Sequence, residues 1–462
     1  MLTRIEIDGF KTFENFTLDL EPLIVILGPN AVGKSNFMDA VQLLSLLAET
    51  DLRSAIKGIR GEPHELFRRQ ADGSFVNRMT FAVEVLLSPQ VTDPWGAEVE
   101  MKSTRLRYEV AIARRQDDRG RERLVIESEV VLPILKHSDT WMPGGQRPSK
   151  AFQSLFLRHG NRRTPFLTTE KQVGKAQFVI SQDGTQGRNL HRPAENAEAT
   201  VVSSITTTEF PHLYALREEM RNWRFLQLDA HALRRPSSSH APDDLEEDGG
   251  NLPTVLARLQ DETSDESHPA GIIAEIAASL AELVPEVAEI GVHPDNPLAP
   301  REYQISVRSR DGAEFTAAVL SDGTLRLLAL LALLYDPRHQ GVLCFEEPEN
   351  GIHPERLVRL LQLMRELVVD PLSETIDPDT PLAQIIMNSH SPVVLNTLRS
   401  RHGEVLFADA LISATPNSEG MGWRSRFRKV SPTKALLTTD EAREFVTVGE
   451  VDDYLAKAGG KA

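Results

Sequence analysis

Cysteine is nearly absent from this 462-residue sequence; Cys344 stands alone, so neither a disulfide framework nor a cysteine-built zinc site can be assembled. No apolar run approaches the length of a membrane span, because the longest, Leu325 to Leu334, is interrupted by Arg326. The start, MLTRIEIDGFKTF, lacks a basic region followed by an apolar core, so no secretion signal is read. A cytoplasmic location with no membrane partner is therefore expected. Positive charge is in deficit: 51 basic against 67 acidic residues give a net charge of -16. That excludes a surface basic all round for nucleic acid, though not a local basic groove. Twelve acids and one basic residue, Arg258, fall between Asp243 and Glu286, which reads as a solvated insertion. Segments 101–124 and 145–163 lean basic. Heptads of coiled-coil length are missing as well.

What is present suffices for a sizeable core: 40% of residues are apolar and 26% charged. At roughly 150 residues per domain this length suggests three units, or one large domain with insertions. Strand patterns occur at 2–8, 23–27, 79–87, 104–112 and 123–132, and a helical pattern at 34–48. Residues 138–200 are weakly patterned and predict long loops; 235–250 predicts a mobile polar stretch. Helices are expected at 212–222, 252–260, 270–284, 322–335 and 354–369. Strands are expected at 223–229, 286–292, 301–308, 341–345 and 384–388. Strand–helix alternation implies a mostly parallel sheet with helices on both faces.

Residues 28–35, GPNAVGKS, match G-x-x-x-x-G-K-S in full, after a buried strand and before a helix. Glycines let backbone N–H groups curl around phosphates, and the helix start adds its positive dipole end. Lys34 is expected to neutralise β- and γ-phosphate charge and the Ser35 hydroxyl to ligate Mg²⁺. Asn30, Ala31, Val32, Gly33 and Asn36 complete the expected nucleotide contacts. The apolar strand 342–345 runs into Glu346-Glu347-Pro348-Glu349-Asn350, and carboxylates at the C-terminal edge of a parallel sheet face the ligand crevice. Glu346 is read as the metal-side residue and Glu347 as the one that orients or deprotonates water. Cys344, inside the strand, reads as buried filler.

Four segments then occur in a recognisable order: GPNAVGKS at 28–35, LSDGT at 320–324, VLCFEEPENGIHP at 342–354 and MNSHSP at 387–392. In them the chain resembles the ABC-type ATPases of the branch that includes RecF, the structural-maintenance-of-chromosomes heads and the standalone AAA-family ATPases of bacterial defence operons. Residues 88–300 match only loosely. The resemblance implies an α/β fold, an ABC-type P-loop NTPase head with a mixed, mainly parallel sheet, an antiparallel layer and an inserted helical and loop subdomain. The expected divisions are 1–135 and 301–435 for the two parts of the head, 136–300 for the insertion and 436–462 for a short tail. It further implies that Ser321 and Gly323 of one subunit close over the γ-phosphate held by the other, and that His390 hydrogen-bonds that phosphate or the attacking water. Asn350 and Gly351 would cross the dimer interface, Lys11 and Phe13 would contact ribose or base, and Gln70 would sense Mg²⁺. Glu346 departs from the aspartate usual in the family.

The activity so implied is hydrolysis of ATP with Mg²⁺ by a homodimer, or a larger even-numbered assembly. It would act as a switch or sensor over a separate effector, such as a TOPRIM-like nuclease, in antiviral defence. Two alternatives accompany it: a RecF-like DNA repair clamp, probed through Arg158, Arg162 and Arg163, and an ATP-binding scaffold with little turnover.

Overall fold

The computed structural model describes residues 1–116, 119–172, 175–183, 189–298, 301–377, 380–398, 404–414, 421–431 and 444–459. At its centre a seven-stranded sheet runs in the order Arg224–Leu226, Gly341–Glu346, Ala383–Ser389, Leu23–Leu27, Val405–Ala414, Met421–Ser431 and Phe445–Thr447. The first five strands are parallel, and Val405–Ala414 pairs antiparallel with Met421–Ser431. The mixed, mainly parallel sheet expected from the alternation of elements is thus present.

Alternation inside these strands decides the layers. Ile24 and Ile26, with Val342, Cys344 and Ile386, enter a core shared with helix Lys34–Leu47 and an eight-stranded antiparallel sheet. Leu23, Val25 and Leu27, with Leu343, Phe345, Ile385 and Met387, turn to the opposite core under helices Asp322–Leu334 and Pro354–Leu367. Burial on both faces is why these strands read as unbroken apolar runs. Pro354 opens its helix, where a missing N–H costs nothing.

Two expectations are corrected. The stretch 136–300 is not one inserted subdomain. Leu167–Gln172, Lys175–Ile180 and Leu190–Pro193 extend the antiparallel sheet of the N-terminal half, and Arg224–Leu226 joins the central sheet. A smaller antiparallel sheet of Ser237–Ser238, Val287–Pro294, Glu302–Ser309 and Glu314–Thr316 lies apart from both. The strands within 138–200 were illegible because exposed Thr, Gln and Lys break their alternation. Residues 235–250 are not a bare polar stretch: they hold the short strand Ser237–Ser238 and a loop tied into the fold. Asp243 and Asp244 pair with Arg338 and Arg224, and the Asn251 amide donates to the carbonyls of Pro242 (2.8 Å) and Asp244 (2.7 Å). Of the expected tail, 436–443 and 460–462 lie outside the described residues; helix Val448–Gly459 lies within them.

One ion cluster is interior. Arg105, 0% exposed, donates to both carboxylate oxygens of Asp139 (3.0 and 3.1 Å) and to Thr3 Oγ1 (2.7 Å). Its guanidinium lies over the Trp141 ring, 5.4 Å from the centroid. It joins the first strand, Leu2–Asp8, to the loop before helix Lys150–Phe156. Among the described residues no helix is long and apolar enough to cross a membrane.

Candidate functional site

Register brings the motifs together. Glu346 lies opposite Asn388, and Asn388 opposite Ile26, so the acidic turn, the segment after strand Ala383–Ser389 and the phosphate loop leave the sheet at one edge. A cleft of about 350 Å³ there is lined by Asn30, Ala31, Gly33–Asn36, Glu347, Asn388, His390 and Trp423.

The loop's curl is enforced by backbone. Gly33 has φ 104° and a Cβ there would fall 1.9 Å from Ser425 Oγ; only glycine meets both conditions. Ser425 Oγ donates to Val32 O (2.7 Å) and lies 2.6 Å from Thr12 Oγ1, which accepts from Asn36 Nδ2 (3.0 Å). Lys34 is buried, and its ammonium donates to the carbonyls of Gly28 (2.7 Å) and Pro29 (2.6 Å). Burial lowers its pKa to about 8, against the opposing pull of Glu347, Glu349 and Glu346.

Glu347 occupies the left-handed region, φ 52°. Its N–H donates to Asn388 Oδ1 (2.9 Å), and its carboxylate accepts from Asn350 Nδ2 (2.6 Å). Such strain at a carboxylate facing a cleft is what functional sites retain. His390 Nε2 stands 3.5 Å from Glu347 Oε1. Its backbone N–H donates to Glu349 Oε1 (2.6 Å). Burial first, then Lys34, holds the imidazole below its usual pKa.

Ser321 caps helix Asp322–Leu334, accepting from Thr324 N–H at 3.2 Å. A Cβ on Gly323 would fall 2.2 Å from Gly351 O, so the helix start rests directly on the turn after Glu347. Arg326 reinforces this contact by donating to Asn350 O (2.8 Å). Neither Ser321 nor Gly323 lines the cleft of its own chain.

The family described as "AAA domain, putative AbiEii toxin, Type IV TA system" matches residues 23–396, a span holding all four motifs. The chain belongs to this family. Its P-loop ATPase fold is similar to solved structural-maintenance-of-chromosomes heads. An Smc head bound to the C-winged helix domain of ScpA is 14% identical, with TM-score 0.47 and coverage of 96% of this chain and 99% of that one. The SMC head domain from Thermotoga maritima is 11% identical, with TM-score 0.39 and coverage of 93% and 99%. An Smc head with an extended coiled coil bound to the ScpA C-terminal domain, from Pyrococcus furiosus, is 13% identical, with TM-score 0.43 and coverage of 98% and 99%. Comparison with curated proteins gives no match.

In this AAA-domain chain three expected contacts are displaced. Phe13 is 0% exposed and packs edge-on and tilted against Phe16 and Phe427, so it is core and cannot touch a base. Lys11 Nζ is bound to Asp39 Oδ2 (2.6 Å) and Arg60 O (2.9 Å), outside the cleft. Gln70 is exposed in a turn closed by its N–H to Ser74 O (2.7 Å) and does not line the cleft. Gln227 lies closer to the acidic strand end. It follows strand Arg224–Leu226, which pairs in parallel with the acidic strand through Leu226 and Phe345, and it borders a small cavity with Asp39, Arg60, Glu247 and Glu346. The strand-like WRFLQLD and the rule that ligands bind past parallel strand ends were the available signal. Arg60, missed altogether, bridges Asp39 (3.0 Å), Ser35 O (3.3 Å) and Glu346 (3.5 Å). Cys344 is buried and its thiol pKa pushed well up by desolvation, as filler requires.

These residues fit Mg·ATP. A curled backbone carries a buried lysine held only by loop carbonyls, and the Ser35 backbone and Glu346 are spanned by a single guanidinium. Among the described residues no cluster of three His, Cys, Asp or Glu forms a metal cage; a magnesium ion takes few protein ligands and completes its shell with phosphate and water.

The pKa of Lys34 gives a testable pH dependence. Its ammonium is charged below about pH 8, and a bound polyphosphate stabilises only that form. ATP affinity should therefore be constant below pH 8 and weaken above it, approaching ~10-fold per pH unit. Calorimetric titrations at pH 7, 8 and 9.5 check this, and an unchanged Kd refutes it.

Proposed function

We propose that the chain binds and hydrolyses ATP at sites shared between two copies packed head to head, and that it works as a switch. The observation that supports this most is the convergence of the phosphate loop, Glu347 and His390 on one cleft, with Ser321 and Gly323 outside its lining. Lys34 and the loop N–H groups would hold the phosphates, and Ser35 and Glu346 would hold Mg²⁺, which when bound would supply charge neutralisation for the transfer. Glu347 takes a proton from the attacking water, and His390 steadies the water or the terminal phosphate. No covalent intermediate is needed, because positioning and electrostatics supply the rate. Gly323 rests on the turn after Glu347, so closing of the partner's site is felt at this one. That coupling suits a switch over an effector, and the toxin named in the family's description supports a defence setting. The effector as a TOPRIM-like nuclease stays part of this proposal, as does the cytoplasmic setting.

The DNA-clamp reading draws less support. Arg162 donates to the carbonyls of Thr164 (3.0 Å), Gln182 (2.7 Å) and Pro165 (2.9 Å). Arg158 is paired with Glu100 at 2.6 Å. Both are committed to the protein's own structure.

Complementation tests the shared site. Lys34→Ala and Ser321→Arg should each abolish turnover alone. Mixed in equal amounts with random pairing, they should restore up to about a quarter of wild-type activity, because half the dimers are heterodimers and each keeps one of two sites intact. Activity of Ser321→Arg on its own would sink the composite arrangement.

A further inference from the structure

We infer that Trp423 is the residue on which the nucleotide base stacks, an inference that rests on the nucleotide reading of the cleft. Sheet order carries it. The acidic strand lies two strands to one side of the phosphate-loop strand, and Met421–Ser431 lies two strands to the other. Glu347 and Trp423 consequently border the same cleft from opposite flanks, with the loop between them. A nucleotide whose terminal phosphate reaches Glu347 and His390 must extend its other end across Gly33–Asn36 toward Trp423.

The indole is placed for this and is otherwise unemployed. Residues 423 and 425 share a strand face, and Ser425 is pinned to the loop through Val32 O (2.7 Å) and through its N–H to Thr12 O (3.0 Å). Trp423 therefore stands at a set position above the loop. The neighbouring rings of Phe13, Phe16, Phe37 and Phe427 pack on one another. Trp423 remains 37% exposed, with no ring against it among the described residues. An aromatic face open to a polar cleft is a stacking platform, and stacking tolerates any base.

The test compares ligands with and without a base. Trp423→Ala should weaken ATP and GTP by ~10- to 100-fold and leave the Kd of inorganic tripolyphosphate unchanged; Trp423→Phe should recover most of the loss. In wild type, saturating ATP should quench tryptophan fluorescence, and Trp423→Phe should abolish that quench. Equal losses for ATP and tripolyphosphate, no loss for either, or no quench in wild type would each overturn the assignment. Lys34→Ala separates the two levels: if it leaves ATP binding intact, the nucleotide reading of the cleft fails, whatever Trp423 does.

Discussion

Glu347→Gln is expected to slow ATP turnover at least ~100-fold, the usual effect of losing a general base, while ATP still binds. The amide keeps the length of the side chain and can still accept from Asn350 Nδ2, which now donates at 2.6 Å. The strained φ of 52° is held by Asn388 and does not depend on the side-chain charge. What is lost is the capacity to take a proton. Binding should be retained because Lys34 and the loop N–H groups are untouched. Native mass spectrometry in ATP and Mg²⁺ should then show a nucleotide-loaded dimer, stalled before opening. Turnover unchanged by the substitution would transfer the reading to a scaffold that needs ATP only as a ligand. A monomer under these conditions would remove the shared site.

Arg105→Ala should cost ~3–5 kcal/mol of stability, the typical result of stripping one partner from a buried ion pair. Asp139 lies at 3.0 Å from Arg105 Nε with His159 at 3.0 Å on the same oxygen, and the truncation leaves its charge without a guanidinium in an interior site. Lysine should not rescue it, since a point charge cannot make both bonds to the carboxylate and also lie flat on Trp141. Urea unfolding curves compare the variants. A loss below about 1 kcal/mol, the range of an exposed pair, would show that the cluster is solvated in solution. Combining Arg105→Met with Asp139→Asn should recover part of the loss, because the residual cost is then packing and not unpaired charge.

The legible parts of this protein were those encoded over short distances. The phosphate loop, its preceding strand and its following helix occupy residues 23–47 without a break. A glycine pattern, an apolar run and a helical period suffice there. The acidic strand end and the Ser321 cap are equally local. The acidic loop at 243–248 shows what such reading leaves out. Its carboxylates are exposed, as the composition says, but Asp243 and Asp244 also meet Arg338 and Arg224, which no spacing rule could have paired. The strands Leu167–Gln172, Lys175–Ile180 and Leu190–Pro193 failed for a different reason, as polar residues interrupt their apolar period and Leu190–Pro193 is exposed throughout.

The sequence by itself therefore determined the nucleotide chemistry, the class of sheet and the family. Each rests on backbone geometry or side-chain type within a few residues. Tertiary structure decided which residues surround that chemistry. It buried Phe13, tied Lys11 to Asp39, placed Gln227 beside the acidic strand end and set Arg60 and Trp423 beside the loop. These outcomes follow from strand order and register, which join positions up to about 400 residues apart, such as Val32 and Ser425. Local periodicity carries no information about which strand lies next to which, so only the folded sheet could choose them.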